Sequence, residues 1–338
     1  MSVLCATDVH YKVYSDLAAV EAISAQWDGL LRVSPCNRAF GSAEWYLASC
    51  RTEKYESFVP YTVVASRGAE IVAILPLVIN SKDAVATIPN YCSDYSDIVA
   101  SSANPALVAD LLSHAFVAHD RCRVIVLSML REDSNCVRAI PFISAANIDC
   151  RYRETDAYHC IRLPRSFEDY PASKSRNFRK SLKRVQRGIE NSDLALQELG
   201  PDDFDPARLP ELCLSMISAR QGDEFVQRAE RIRPFISEVF PRLFARGSVR
   251  VFVMRNAGRI VALDICMTGA KSIGTWNGGF LAEAEARSPG TLLIAFGIRQ
   301  AIDMELDEYD FLKGDESYKR RWANDTHIVG QLELVART

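Results

Sequence analysis

The chain has no long apolar run. None of its 338 residues sits in a stretch that approaches the length of a membrane span, and the N-terminal 14 residues have neither a basic start nor an apolar core, so they do not resemble a secretory signal. These features lead us to expect a cytoplasmic protein. Metal-type cysteine pairing is also missing. The ten cysteines include no C-x-x-C and no histidine at ligand spacing, so no metal site is expected, and we read them as reduced, mostly buried thiols. Net positive charge is absent as well. Forty basic against forty-three acidic residues leave −3, which excludes nucleic-acid binding by bulk charge and makes any basic surface local. Histidine is scarce. The five, at 10, 114, 119, 159 and 327, show no consistent relation to the polar clusters described below, so a histidine-based triad fits poorly.

What is present has the composition of a soluble globular protein, 48% hydrophobic and 25% charged, with a length suited to two domains. Residues 16–33 carry a helical stripe, and a second helix is expected over 42–50 with Ser42 as its cap. Residues 61–65 and 71–79 form a strand pair around a Gly-containing turn. A helix started by Asn104-Pro105 follows, and then a buried strand over 123–128. The second half repeats this order. Strands over 249–255 and 260–267 match the first pair, Ser288-Pro289-Gly290-Thr291 matches Asn104-Pro105-Ala106-Leu107, and 309–312 matches 123–128. Two copies of one fold account for the order. Only the second copy has glycine at the helix start, where the first has Ala106.

The stretch 287–322 concentrates the features that bear on chemistry. Pro289 at a helix's first position and Gly290 beside it leave the amides of Gly290, Thr291 and Leu292 pointing outward, a cradle for phosphate; the tetrapeptide by itself is more simply an ordinary proline-started helix. An apolar helix over 292–304 and a strand over 309–312 lead to Gly314 and then to Asp315, Glu316, Tyr318, Lys319, Arg320 and Arg321. Between the copies lies a basic segment, 172–189. Phe178, Leu182, Val185 and Ile189 line one helical face, while Lys174, Arg176, Arg179, Lys180, Lys183, Arg184 and Arg187 cover the rest. It fits either a solvated helix face or the site of an anionic ligand.

Together, the basic S-K-S-R-N-F-R-K-S-L-K-R helix, W-N-G-G-F, S-P-G-T-L-L and Y-D-F-L-K-G-D-E-S-Y-K-R-R-W resemble the acetyltransferases associated with bacterial cellulose and exopolysaccharide biosynthesis. Those are GNAT-fold proteins similar in architecture to the Fem-type transferases. The resemblance implies an α/β (α+β) chain of tandem GNAT-like domains, each a twisted mixed sheet flanked by helices. It implies a domain with a degenerate cofactor site over 1–165 and an acyltransferase domain over 166–338. It further implies acetyl-CoA or another acyl-CoA as co-substrate and a sugar or cell-envelope precursor as acceptor. In a GNAT fold the pyrophosphate rests on amides at the start of the helix after the fourth strand. Arg287, Pro289, Gly290, Thr291 and Leu292 occupy that place, with one glycine where the family's loop usually has more. A Fem-like protein would take an aminoacyl-tRNA instead, and a non-catalytic module would bind an anionic nucleotide without turnover.

Acyl transfer from a thioester needs a polarised carbonyl, a base for the nucleophile and a proton for the thiolate. Asn277 and Gly278, in Trp276-Asn-Gly-Gly-Phe280, are candidates to present backbone amides to the bound acyl group through a bulge, or they form a simple turn. Asp264 is an acid in an otherwise apolar strand, either buried and partnered or facing a cleft, and burial would raise its pKa toward that of a base. Tyr318 is the candidate proton donor, or a packed aromatic, and Lys319 a candidate for holding phosphate or developing charge. Arg179, Lys180, Lys183, Trp276 and Asp315 are the candidate acceptor-binding residues.

Overall fold

The computed structural model describes residues 9–118, 122–143, 148–190, 192–219 and 223–337. In chain order the first elements are β1 (Val9–Tyr14), α1 (Leu17–Glu21), α2 (Ser24–Val33), α3 (Ala43–Cys50), β2 (Phe58–Arg67), β3 (Glu70–Asn80), β4 (Val85–Thr87), β5 (Val99–Ala100), α4 (Pro105–Val117), β6 (Val124–Arg131) and α5 (Asn135–Ala139). The chain continues through β7 (Ile148–Arg162), α6 (Asp169–Ala172), α7 (Arg176–Glu190), β8 (Leu194–Leu199), α8 (Leu209–Ser218) and α9 (Asp223–Ala245). It closes with β9 (Val249–Asn256), β10 (Arg259–Thr268), β11 (Ser272–Phe280), α10 (Pro289–Asp303), β12 (Glu308–Asp310), α11 (Ser317–Trp322) and β13 (Asp325–Ala336). Two compact units result. One comprises the described parts of 1–157 with 327–337, the other those of 158–326.

In the first unit, β1, β2, β3 and β4 pair antiparallel in that order, β4 then pairs parallel with β6, and β6 antiparallel with β13. Alternation along β2 and β3 sends Val63, Ala65, Leu75 and Leu77 to the face covered by α4, and Val64, Ile74 and Val78 to the face covered by α2 and α3. Ser42 accepts from the Trp45 amide and starts α3 as expected. The stripe over 16–33 is two helices rather than one. Asp16 caps α1, which ends after one turn at Ala22, and α2 restarts after Ile23. The apolar spacing survives the break, which is why it reads as continuous.

The second unit has the same strand order. β8, β9, β10 and β11 pair antiparallel in sequence, β11 pairs parallel with β12, and β12 pairs antiparallel with the end of β7. Each unit is thus a mixed sheet flanked by helices, and the repeat expected from sequence appears as one topology used twice. In each, a proline-started helix, α4 or α10, links the fourth strand of the order to the fifth. α7 and α10 pack on one face of the second sheet, with Phe178, Leu182, Leu292, Ile298, Phe252, Met254 and Tyr309 in a shared core. α10 lies close to the sheet because residue 297 is glycine. A Cβ there would stand 2.9 Å from the Tyr309 ring and 3.2 Å from that of Phe252. Among the described cysteines none is disulfide-bonded and six are buried; Cys5 lies outside the described residues.

Candidate active site

The second unit opens where β11 and β12 part. Their parallel pairing covers only Ser272–Gly274 against Glu308–Asp310; beyond it β11 stays paired with β10 alone among the described residues. Gly274 and Leu312 mark the fork. Leu312 adopts a left-handed backbone, φ 53°, and its side chain lies so close to Gly274 that a Cβ there would sit 2.8 Å from Cδ2. The Leu312 amide is held by Asp310 Oδ1 at 2.7 Å, and the Phe311 amide still bonds across to the His159 carbonyl at 2.9 Å. The chain therefore leaves β11 while keeping its other edge.

Just past the fork, β11 bulges. Cys266 faces Thr275 and Ile265 faces Asn277, which leaves Trp276 as the extra residue. Trp276 meets Phe240 of α9 edge-on at 5.6 Å. Asn277 is buried; its Oδ1 accepts from the Gly278 amide at 2.9 Å, while Nδ2 has no partner. The two glycines have packing reasons of their own. A Cβ on Gly279 would lie 1.9 Å from the Met216 carbonyl oxygen of α8, and one on Gly278 2.7 Å from the Leu263 oxygen.

Asp264 ties three strands together at the fork. From β10 it accepts hydrogen bonds from Thr275 of β11 and from Tyr309 of β12, the latter at 3.3 Å, and Cys266 Sγ lies 3.7 Å from Oδ2. Burial pushes its carboxyl up to about 6 against the pull of those bonds. Tyr309 is raised well above its ordinary value, first by burial and then by the Asp264 charge. The carboxylate is buried with each oxygen already accepting a hydroxyl hydrogen bond, so it is not open to an acceptor.

At the start of α10, Ser288 is left-handed (φ 54°, ψ 55°) and makes no capping bond through its side chain. Pro289 has no N–H to offer. The Gly290 and Thr291 amides have no partner among the described residues, and a Cβ on Gly290 would meet nothing within 4 Å. Leu292 corrects the expectation of three free amides. As the first residue able to close a helical ring, it donates to the Ser288 carbonyl at 3.3 Å, and its side chain is in the core. Arg287 is exposed beside this turn. The first unit differs at the matching point. Asn104 Oδ1 accepts from the Leu107 amide at 3.0 Å, so α4 carries its own cap.

Beyond the fork, α11 presents the polar cluster. Tyr318 is partly exposed, with its ring edge on Phe311 at 6.1 Å. Lys319, by contrast, is buried. Its ammonium donates to the Lys313 carbonyl and pairs with Glu316 at 3.0 Å, closing over Gly314, whose φ is +117°. Asp315 receives His159 Nε2 at 2.8 Å and also pairs with Arg320, and the two together hold its carboxyl below the usual range. His159 is the residue that sequence reasoning missed. It stands on β7, some 150 residues earlier, and reaches the cluster only because the end of β7 is the edge partner of β12. Arg179, Lys180 and Lys183 are exposed on α7, and among the described residues none of them hydrogen-bonds or ion-pairs with these groups.

Residues 174–320 match the family described as "Acetyltransferase (GNAT) domain". Among solved structures the chain is similar to FemX, at 10% identity over 92% of this chain and 95% of that chain, with a TM-score of 0.64. It is also similar to L-PGS from Bacillus licheniformis, at 8% identity over 91% and 90%, with a TM-score of 0.57. A conserved protein of unknown function from Bacteroides thetaiotaomicron aligns over 98% of this chain and 100% of its own, at 12% identity and a TM-score of 0.55. No curated protein matches by sequence. At such identities the structural likenesses show the fold alone. Within the second unit, residues 174–320 are thus similar to a GNAT-type acetyltransferase domain, in a chain with the fold of FemX and these other structures.

Proposed function

We propose that the protein transfers an acyl group, in the first instance acetyl, from coenzyme A to an amine or hydroxyl of a sugar or cell-envelope precursor. The observation that carries this reading is the uncapped start of α10, which follows the part of β11 that has left β12. Two amides are free there, the helix dipole favours an anion, and Gly290 faces open space, whereas the matching helix of the first unit is capped by Asn104. A pyrophosphate on Gly290 and Thr291, with Arg287 beside it, would let the acyl arm run along the unpaired edge of β11 past the fork. The bulge at Trp276 disturbs the ladder where the thioester carbonyl would need a donor.

In this reading the acceptor attacks the thioester carbonyl and gives up its proton to solvent, the intermediate collapses with loss of thiolate, and Tyr318 at the start of α11 protonates that thiolate and recovers its own proton from solvent. Lys319 acts by holding the 313–316 turn that carries Asp315. Asp264 positions Thr275 and Tyr309 at the fork. The acceptor class rests on the family resemblance. A thermal-shift screen with a panel of acyl-CoAs, followed by thioester turnover with amine and sugar acceptors, tests the whole. Stabilisation by acetyl-CoA with acceptor-dependent release of free thiol is the expected result. Salt-sensitive binding of aminoacyl-tRNA with no acyl-CoA effect would replace the donor, and binding without turnover would make the chain a sensor.

A further inference from the structure

The most concentrated charge in the protein lies on α7. At 3.6 residues per turn, Arg176, Arg179, Lys180, Lys183, Arg184 and Arg187 fall within an arc of about 140°, opposite the face formed by Phe178, Leu182 and Val185. The six run for roughly 16 Å along the helix. All are exposed, while Phe178 and Leu182 are buried in the core and Val185 packs against it. Among the described residues none of Arg176, Arg179, Lys180, Lys183 and Arg184 has an acidic partner. Arg321, stacked on the Phe178 ring at 5.4 Å, adds a further cation beside the helix.

Side chains this close together repel one another, and an isolated helix would lose a few tenths of a kcal/mol for each like-charged i,i+4 pair. An anionic partner would relieve that repulsion. A nucleic-acid strand would be expected to stack bases on rings near the stripe, yet the three rings beside α7, Tyr170, Phe178 and Trp322, are buried and packed on one another. Charge elsewhere limits how a partner can approach. The chain carries −3 overall, so with the seven cations from Lys174 to Arg187 set aside the remainder carries −10. A polyanion that wrapped the protein would meet that remainder, whereas a plane touching one face would not. The apolar side of α7 is committed to the core, so contact would be through charge alone, without insertion.

We propose that the exposed stripe of α7 docks the protein onto an anionic lipid surface. The docking does not depend on which acyl donor the site takes. Sedimentation of the full chain with vesicles tests it. The chain should bind phosphatidylcholine vesicles containing phosphatidylglycerol, leave them as salt is raised, and ignore phosphatidylcholine alone. Lys180→Gln with Lys183→Gln should lower the partition coefficient roughly 30-fold, since each cation near the surface contributes about five-fold. The proposal is overturned by absence of binding at low salt, by a double variant that is folded by circular dichroism and partitions like the parent, or by an RNA oligonucleotide that binds more tightly than the vesicles.

Discussion

Replacing Asp264 by asparagine should make the second unit more stable near pH 8 and change it little near pH 4. The folded carboxyl titrates at about 6, against 3.8 for an ordinary aspartate, and burial is the main cause. Because the folded value is the raised one, the folded state holds the proton more tightly than the unfolded state. Stability is therefore greatest below the unfolded value, falls as pH rises between the two, and has been lost once pH passes the folded value. Roughly two units at about 1.4 kcal/mol each amount to about 3 kcal/mol lost by the parent at high pH. Asparagine carries no charge to bury, but its amide must donate to the Thr275 or Tyr309 hydroxyl that formerly donated to it. That exchange returns about 1 kcal/mol or more of the gain. Urea unfolding followed by tryptophan fluorescence, with parent and variant compared across the pH range, isolates this group from all others. A variant that is less stable than the parent at pH 8, or a parent-minus-variant difference that does not change with pH, would refute the account of Asp264 as a buried, costly charge holding the fork.

Two further substitutions probe the same region. Gly279→Ala would drive a methyl into the Met216 carbonyl and should cost about 1–3 kcal/mol or more in urea unfolding; parent-like stability would mean that α8 yields freely. Lys319→Ala removes the ammonium that closes the 313–316 turn and should lower turnover much more than it lowers stability. A lower melting temperature with an unchanged rate would make Lys319 purely structural.

The parts of this site that were legible in the sequence are those set by local rules. Alternation showed the β9–β10 hairpin, Pro289 and Pro105 marked the two matching helices, and the shared order of elements showed the duplication. What was not legible depends on contacts distant in the chain. His159 joins Asp315 only through a strand pairing that no local pattern announces. Gly279 reads as part of a bulge or a simple turn until α8 is seen to press against it, and Gly297, in the middle of α10, marks the close approach to Tyr309. Asp264 was visible as an anomaly in an apolar strand, and its partners on two neighbouring strands were not. The Leu292 amide was misjudged on a detail of helix geometry, since the fourth residue of a helix already finds its acceptor.

The central claim is that the cofactor lies on the second unit's uncapped helix and not on the first unit's capped one. Calorimetric titration of acetyl-CoA into Gly290→Val and Ala106→Val, each first shown to be folded by circular dichroism, tests it most directly. Gly290→Val should lose most of the affinity, because its branched side chain fills the open space where phosphate would approach, and Ala106→Val should bind like the parent. Unchanged binding by Gly290→Val, or an equal loss in folded Ala106→Val, would contradict the assignment.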